Sequence, residues 1–173
     1  MARRYRRTYR QSHSHRQSQS HQKFPFILVA MLIAGCVSAV VVHLSAAGAS
    51  TTVTATAVAD AFIDSAHPTT ADGSGPWVSM DNKPSKYGYF KFNVTVPNGE
   101  TVSHADFRCS AGSANAFGAQ LWTAPTDWDE STITWANAPM PDFANAPVGQ
   151  TGPVSTSSYA SVDVTSAISG SGT

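Results

Sequence analysis

The chain has 173 residues, with 11 Lys+Arg balanced by 11 Asp+Glu and only 13% charged residues in all. Low charge and abundant Ser, Thr, Ala and Gly exclude a coiled coil or a conventional helical enzyme domain, and the length allows one domain. Two cysteines exclude a disulfide scaffold and a Cys-based zinc site.

The neutral total hides an asymmetry. Residues 1–23 hold six Arg and Lys23 with no acid; the remainder sets Lys83, Lys86, Lys91 and Arg108 against all 11 acids, a net of −7. The basic segment 1–23 lacks hydrophobic periodicity and is expected to be disordered. Its His13, His15 and His21 read as solvated residues of a cationic segment. Phe24 to Leu44 is apolar, and small residues follow from Ser45 to Ser50. Basic flank, apolar centre and small-residue end is the order of a secretory signal. Residues 24–49 are therefore expected to be a helical signal peptide cleaved after Ala49, with Ala47 and Ala49 at the −3 and −1 positions. The alternative is an uncleaved anchor that meets the membrane through residues 24–44, since about 20 apolar residues span a bilayer. Either way the folded part is secreted or held on the outer face of the cell membrane. Ile33-Ala34-Gly35-Cys36 resembles a bacterial lipobox. The apolar run continues past it into Val40-Val41-Val42, which favours a Cys within a hydrophobic segment.

Residues 50–57 read as a linker and 58–173 as one all-β domain, an antiparallel sandwich of jelly-roll type. Turn signals are dense: Pro68, Asp72-Gly73, Pro97-Asn98-Gly99, Pro139, Pro141, Pro147 and Gly152-Pro153. Short β-rich runs lie between them. Val53–Ile63 is an opening strand with Val58 and Phe62 inward. In the run from Tyr87 to Val94, Phe90, Phe92 and Val94 share one face and Tyr89, Lys91 and Asn93 the other. In His104–Ser110, Ala105, Phe107 and Cys109 point inward and Asp106 and Arg108 outward, leaving Cys109 a buried thiol. Phe117, Ala119 and Leu121 alternate with Gly118, Gln120 and Trp122, the first three reading as sandwich core. Val162 and Val164 alternate with Ser161, Asp163 and Thr165. A hairpin across Pro97-Asn98-Gly99 would set Phe90 opposite Phe107, Tyr89 opposite Arg108 and Lys91 opposite Asp106.

The segment Trp128-Asp129-Glu130-Ser131-Thr132-Ile133-Thr134-Trp135-Ala136-Asn137-Ala138-Pro139 resembles the W-x-E-x-x-x-T-W-x-N-x-P hallmark of DNRLRE-type domains, grouped with the family-96 carbohydrate-binding modules. Ala59-Asp60-Ala61-Phe62-Ile63, Tyr89-Phe90-Lys91-Phe92-Asn93, Ser103 to Arg108 and Val162-Asp163-Val164-Thr165 are similar to further family strands, in the same order. The likeness covers about Val58 to Thr173. It implies a jelly-roll sandwich on secreted, polysaccharide-associated proteins, some binding acidic polysaccharides and others without a known ligand. Family members continue past a G-x-G-x turn into further strands. The chain stops at Ser169-Gly170-Ser171-Gly172-Thr173, so a C-terminal truncation is expected, with an open sheet edge that another chain or domain could complete.

Trp77, Tyr87, Tyr89 and Trp122 are the candidate sugar-stacking rings, because aromatic faces pack on sugar C–H faces. Lys91 and Arg108 could pair with uronate carboxylates. Trp128, Glu130, Thr134, Trp135, Asn137 and Pro139 read as a structural motif that fixes the long loop. Asp60, Asp64 and Asp72 could take calcium as oxygen ligands, although the spacing is not that of an EF-hand and no other metal site is expected. Asp127, Asp129 and Glu130 lie close in sequence, but a glycosidase needs two carboxylates held across a cleft. There is no Walker loop, dinucleotide fingerprint or zinc spacing. The expected protein is a non-catalytic, exported polysaccharide binder without nucleic-acid partner or cofactor. The alternatives are an adhesive surface unit without a glycan ligand, or a non-functional fragment.

Overall fold

A computed structural model describes residues 31–32, 38–46 and 49–171. The expected disorder of 1–23 lies outside these residues, as do 24–30, 33–37 and 47–48 of the expected signal or anchor segment. Nine antiparallel strands are described: β1 (Met31–Leu32), β2 (Ala39–Ala46), β3 (Ala49–Asp64), β4 (Ser79–Asn82), β5 (Ser85–Phe92), β6 (Thr101–Ser110), β7 (Gln120–Leu121), β8 (Gly149–Gln150) and β9 (Tyr159–Asp163). A short 3-10 turn, Thr165–Ala167, is the one helical element among the described residues, so none of their helices could cross a membrane.

The long strand β3 organises the sheet. Its residues 49–56 pair with β2, and residues 57–64 pair with β5. The main sheet runs β1-β4-β5-β3-β2-β6-β9, and β7 and β8 form a separate pair. In that order β5 and β6 are separated by two strands. Neighbouring strands lie about 4.8 Å apart, so a flat sheet would hold β5 and β6 about 14 Å apart. Yet the Phe90 and Phe107 ring centroids are 5.5 Å apart, and those of Phe92 and Phe107 6.0 Å. The sheet therefore folds over on itself at β3, giving a sandwich-like arrangement.

The fold turns at Val58. The β3–β5 register shifts between Ala57 and Ala59, so Val58 is an extra residue. Such bulges bend a strand and disturb its alternation. Before the bulge, Ala55 joins the main core with Val40, Val42, Leu44, Ala105, Phe107, Cys109 and Val162. After it, Ala61 and Ile63 are buried with Tyr89 and Ile133 in a second cluster. This corrects the expected inward positions of the opening strand: Val58 is 54% exposed, and Ala61 and Ile63, rather than Phe62, are the buried residues.

The expected β5–β6 hairpin is also corrected. β6 pairs with β2 and β9, and Pro97-Asn98-Gly99 carries the chain from one layer to the other. Tyr89 lies opposite Ala61, Lys91 opposite Ala59, and Arg108 opposite Ala39 and Ser161. The face assignments along β6 and at Val162 and Val164 agree with the structure: Ala105, Phe107, Cys109, Val162 and Val164 are buried. Phe117 is a further correction, because it is 73% exposed rather than inward. The Asn115 carboxamide oxygen accepts hydrogen bonds from the Phe117 and Gly118 N–H groups. Gly118 then adopts φ +76°, and a Cβ there would stand 1.9 Å from the Gly152 carbonyl oxygen. This turn ends the extended chain and leaves only Gln120–Leu121 as strand.

Where the apolar run is described, it is strand and not helix. Val40 and Val42 are β-branched, and with Leu44 they alternate inward against Val41, His43 and Ser45.

Phe107 touches both Phe90 and Phe92, so Phe107→Ala is expected to cost about 3–5 kcal/mol in urea unfolding. Arg108→Ala, one residue on and exposed, should stay within about 0.5 kcal/mol.

Candidate functional site

The second face of β5 is built by alternation. Tyr87, Tyr89 and Lys91 project from the side that also carries Ala61 and Ile63, since directly paired residues share a face. The segment after β7 lies over them. Ile133 buries its side chain against Ile63, and Trp128 and Trp135 pack around this small core. Tyr89 meets Trp128 edge-on at 5.7 Å, and Tyr87 lies 5.0 Å from Trp135.

Polar contacts fix this segment. The Tyr89 hydroxyl donates to the Pro139 carbonyl at 3.3 Å. Lys91 Nζ donates to the Trp128 carbonyl at 2.8 Å and stands 4.6 Å from the Trp128 ring centroid. Thr134 N–H donates to Asn137 Oδ1, and Asn137 Nδ2 donates to the Thr132 carbonyl. Glu130 Oε2 accepts from the Asp60 N–H at 3.4 Å. A Cβ on Gly73 would meet the Glu130 carbonyl oxygen at 1.9 Å, so the Asp72-Gly73 position is held to glycine by close backbone approach. Trp128, Glu130, Trp135 and Pro139 thus bind the long loop to β3 and β5, while Thr134 and Asn137 close a turn within it.

A cleft of about 440 Å³ opens beside this platform, and Tyr87, Tyr89, Lys91, Trp122 and Trp128 all line it. Phe90, Phe92 and Phe107 of the core also line it. Trp122 meets Phe143 edge-on at 5.1 Å, and Phe143 lies 5.5 Å from Tyr87. A connected row of rings therefore runs Trp135–Tyr87–Phe143–Trp122. Trp122 Nε1 also donates to the Asn145 carbonyl at 3.4 Å. Gln120 lines the same cleft, and its Oε1 is buried without a hydrogen-bond partner among the described residues.

Of the six residues expected to form a ligand face, the structure brings four together: Tyr87, Tyr89, Lys91 and Trp122. Trp77, 46% exposed, and Arg108 lie outside the cleft. Arg108 instead stands over the exposed Tyr159 ring at 5.6 Å. Tyr89 lies on the expected face but is only 6% exposed, because the motif loop covers it. Burial, aided by neighbouring Tyr87, pushes its phenol up to about 12. Phe143 is a cleft residue that the alternation pattern misses, and Gln120, which shares the Trp122 face in that pattern, is a cleft residue outside the expected set. Phe143 sits in the Pro-rich stretch from Pro139 to Pro147, where period-2 reasoning has no purchase.

The three acids considered for calcium are placed differently from one another. Asp64 is buried: Ala66 N–H donates to it, and Lys86 Nζ and His67 Nδ1 approach at 3.2 and 3.1 Å. Burial pushes its pKa up, but these three partners outweigh burial and hold it below its ordinary value of 3.8. Asp60 is raised above that value by burial and by the Glu130 carboxylate. Asp72 forms a bridge opposite Phe62. Among the described residues no group of three His, Cys, Asp or Glu side chains is arranged to hold a metal ion.

A family model described as carbohydrate-binding module family 96 matches residues 51–172. No curated protein and no solved structure gives a significant match.

Asp64 supplies a pH test of this architecture. Its folded pKa lies below the unfolded one, so its contribution is present above about pH 4 and lost as pH falls through the folded value. Asp64→Asn is expected to lower stability at pH 7 by about 1–3 kcal/mol. Thermal melts across pH 2–7 should show that difference closing below about pH 4.

Proposed function

From the premise that the chain belongs to carbohydrate-binding module family 96, we propose that it is a non-catalytic module that holds a polysaccharide segment in the cleft beside β5. The observation that carries this reading is the row of Tyr87, Phe143 and Trp122 along a cleft whose Gln120 acceptor has no partner. Sugar rings present C–H faces that stack on aromatic rings. They also present hydroxyls, and a hydroxyl can satisfy a buried acceptor that otherwise costs free energy. The module is of jelly-roll type and acts outside the cytoplasm, either secreted or held at the outer membrane face, in keeping with the basic and apolar order of residues 1–49.

Roles within the cleft differ by commitment. Trp122, Phe143 and Tyr87 are the stacking surface, since Phe143 is exposed and the other two half-exposed. Tyr89, Lys91 and Trp128 satisfy one another and support that surface. One Lys91 donor is thereby committed to the protein, and the excess of acids over bases after residue 23 disfavours a densely anionic polymer. A neutral or sparsely charged glycan is the better match. Binding without catalysis fits the carboxylates of the motif: Asp129 is engaged by the Ser131 N–H and hydroxyl, and Glu130 by the Asp60 N–H.

Affinity electrophoresis against a panel of neutral and acidic glycans tests the proposal. Trp122→Ala and Phe143→Ala should each weaken retention about two- to twelvefold, the loss of ~0.5–1.5 kcal/mol of ring contact. Trp77→Ala, outside the cleft, should leave it unchanged. Retention by no glycan, with a cooperative melt intact, would instead support a structural or adhesive surface unit.

A further inference from the structure

The apolar run Phe24–Leu44 and the strand β2 claim the same residues. β2 is an interior strand: Ala39–Ala46 pairs with Ala49–Thr56 of β3 on one side and with Thr101–Arg108 of β6 on the other. Val40 is 4% exposed, and Val42 and Leu44 are fully buried. They pack in the main core with Ala55, Ala105, Phe107 and Cys109. Ser38 continues the ladder, its carbonyl accepting from the Ala57 N–H at 3.0 Å. These residues cannot lie both in a bilayer and in this sheet.

We propose that the targeting segment ends upstream of Ser38 and that Ala39–Ala46 is a permanent central strand of the mature module. The pattern of the run supports the division. A membrane helix has no use for alternation, whereas Val40, Val42 and Leu44 turn inward while His43 and Ser45 turn outward. His43 is placed by this alternation against His104, their rings stacked at 5.8 Å, with Thr52 Oγ1 3.2 Å from His43 Nδ1. Cleavage after Ala49 would remove a strand bonded on both sides. It would leave unpaired the backbone groups of residues 50–56 and of the β6 edge that faces β2, and uncover Ala55, Ala105 and Phe107. Cleavage before Cys36, in the order Ile33-Ala34-Gly35-Cys36, spares the strand. The apolar residues beyond Cys36, which count against a lipobox in the sequence alone, are what a central strand requires. The inference stands whether or not the cleft binds sugar.

The intact mass of the full-length gene product recovered from an exporting bacterial host tests it. The expected mature N-terminus lies at or before Ser38; a mature chain beginning at Ser50 overturns the proposal. If the chain is recovered unprocessed, a second measurement decides. The double variant His43→Cys/His104→Cys, made in the full chain and mildly oxidised in membranes or extract, should yield the disulfide-linked peptide pair by mass spectrometry. A folded protein that gives no such pair, with residues 39–46 protected by the membrane instead, overturns it.

Discussion

A single extra residue decides which side of β3 is buried. Strand side chains alternate with period two, so an inserted residue exchanges the faces of everything beyond it. Val58 is that residue. Ahead of it, Ala55 packs into the core shared by β2, β6 and β9; beyond it, Ala61 and Ile63 face the opposite way and accept Ile133 and the two motif tryptophans. Without the exchange, one layer would have no inner face and the motif loop no platform.

The candidate site is a consequence of that platform. The loop from Trp122 to Phe143 has almost no regular structure and must be tied down by side chains. Trp128 packs on Tyr89 and takes the Lys91 ammonium on both its ring and its carbonyl. Asn137 closes a turn by receiving from one backbone group and donating to another. With those groups satisfied, Trp122 and Phe143 stand at the cleft edge with their rings turned toward Tyr87 or one another. Rigid placement of such rings lowers the entropy cost of engaging a ligand.

Much of this was legible from residue order. The all-β class, the inward faces of β6 and β9, the shared face of Phe90 and Phe92, and the family motif all follow from alternation or from the Trp segment. Tyr89 shows the limit: its face is readable, but its burial depends on a loop that arrives 39 residues later, in a contact no local pattern encodes. The bulge at Val58 is equally silent, because Ala57-Val58-Ala59 offers alternation no penalty for slipping by one. Phe117 was lost to a turn made by the Asn115 side chain rather than by a Gly-Pro signal. The apolar run of residues 39–44 resists reading by pattern alone, because a valine-rich segment suits a membrane helix and a buried central strand alike.

The face exchange along β3 is most directly measured by methyl–aromatic NOEs in solution. The account predicts contacts from the Ile63 methyls to Ile133 and to the Tyr89 ring, and separate contacts between the Phe90 and Phe107 rings. Contacts from the Ile63 methyls to the Phe107 ring, with none to Ile133, would contradict it.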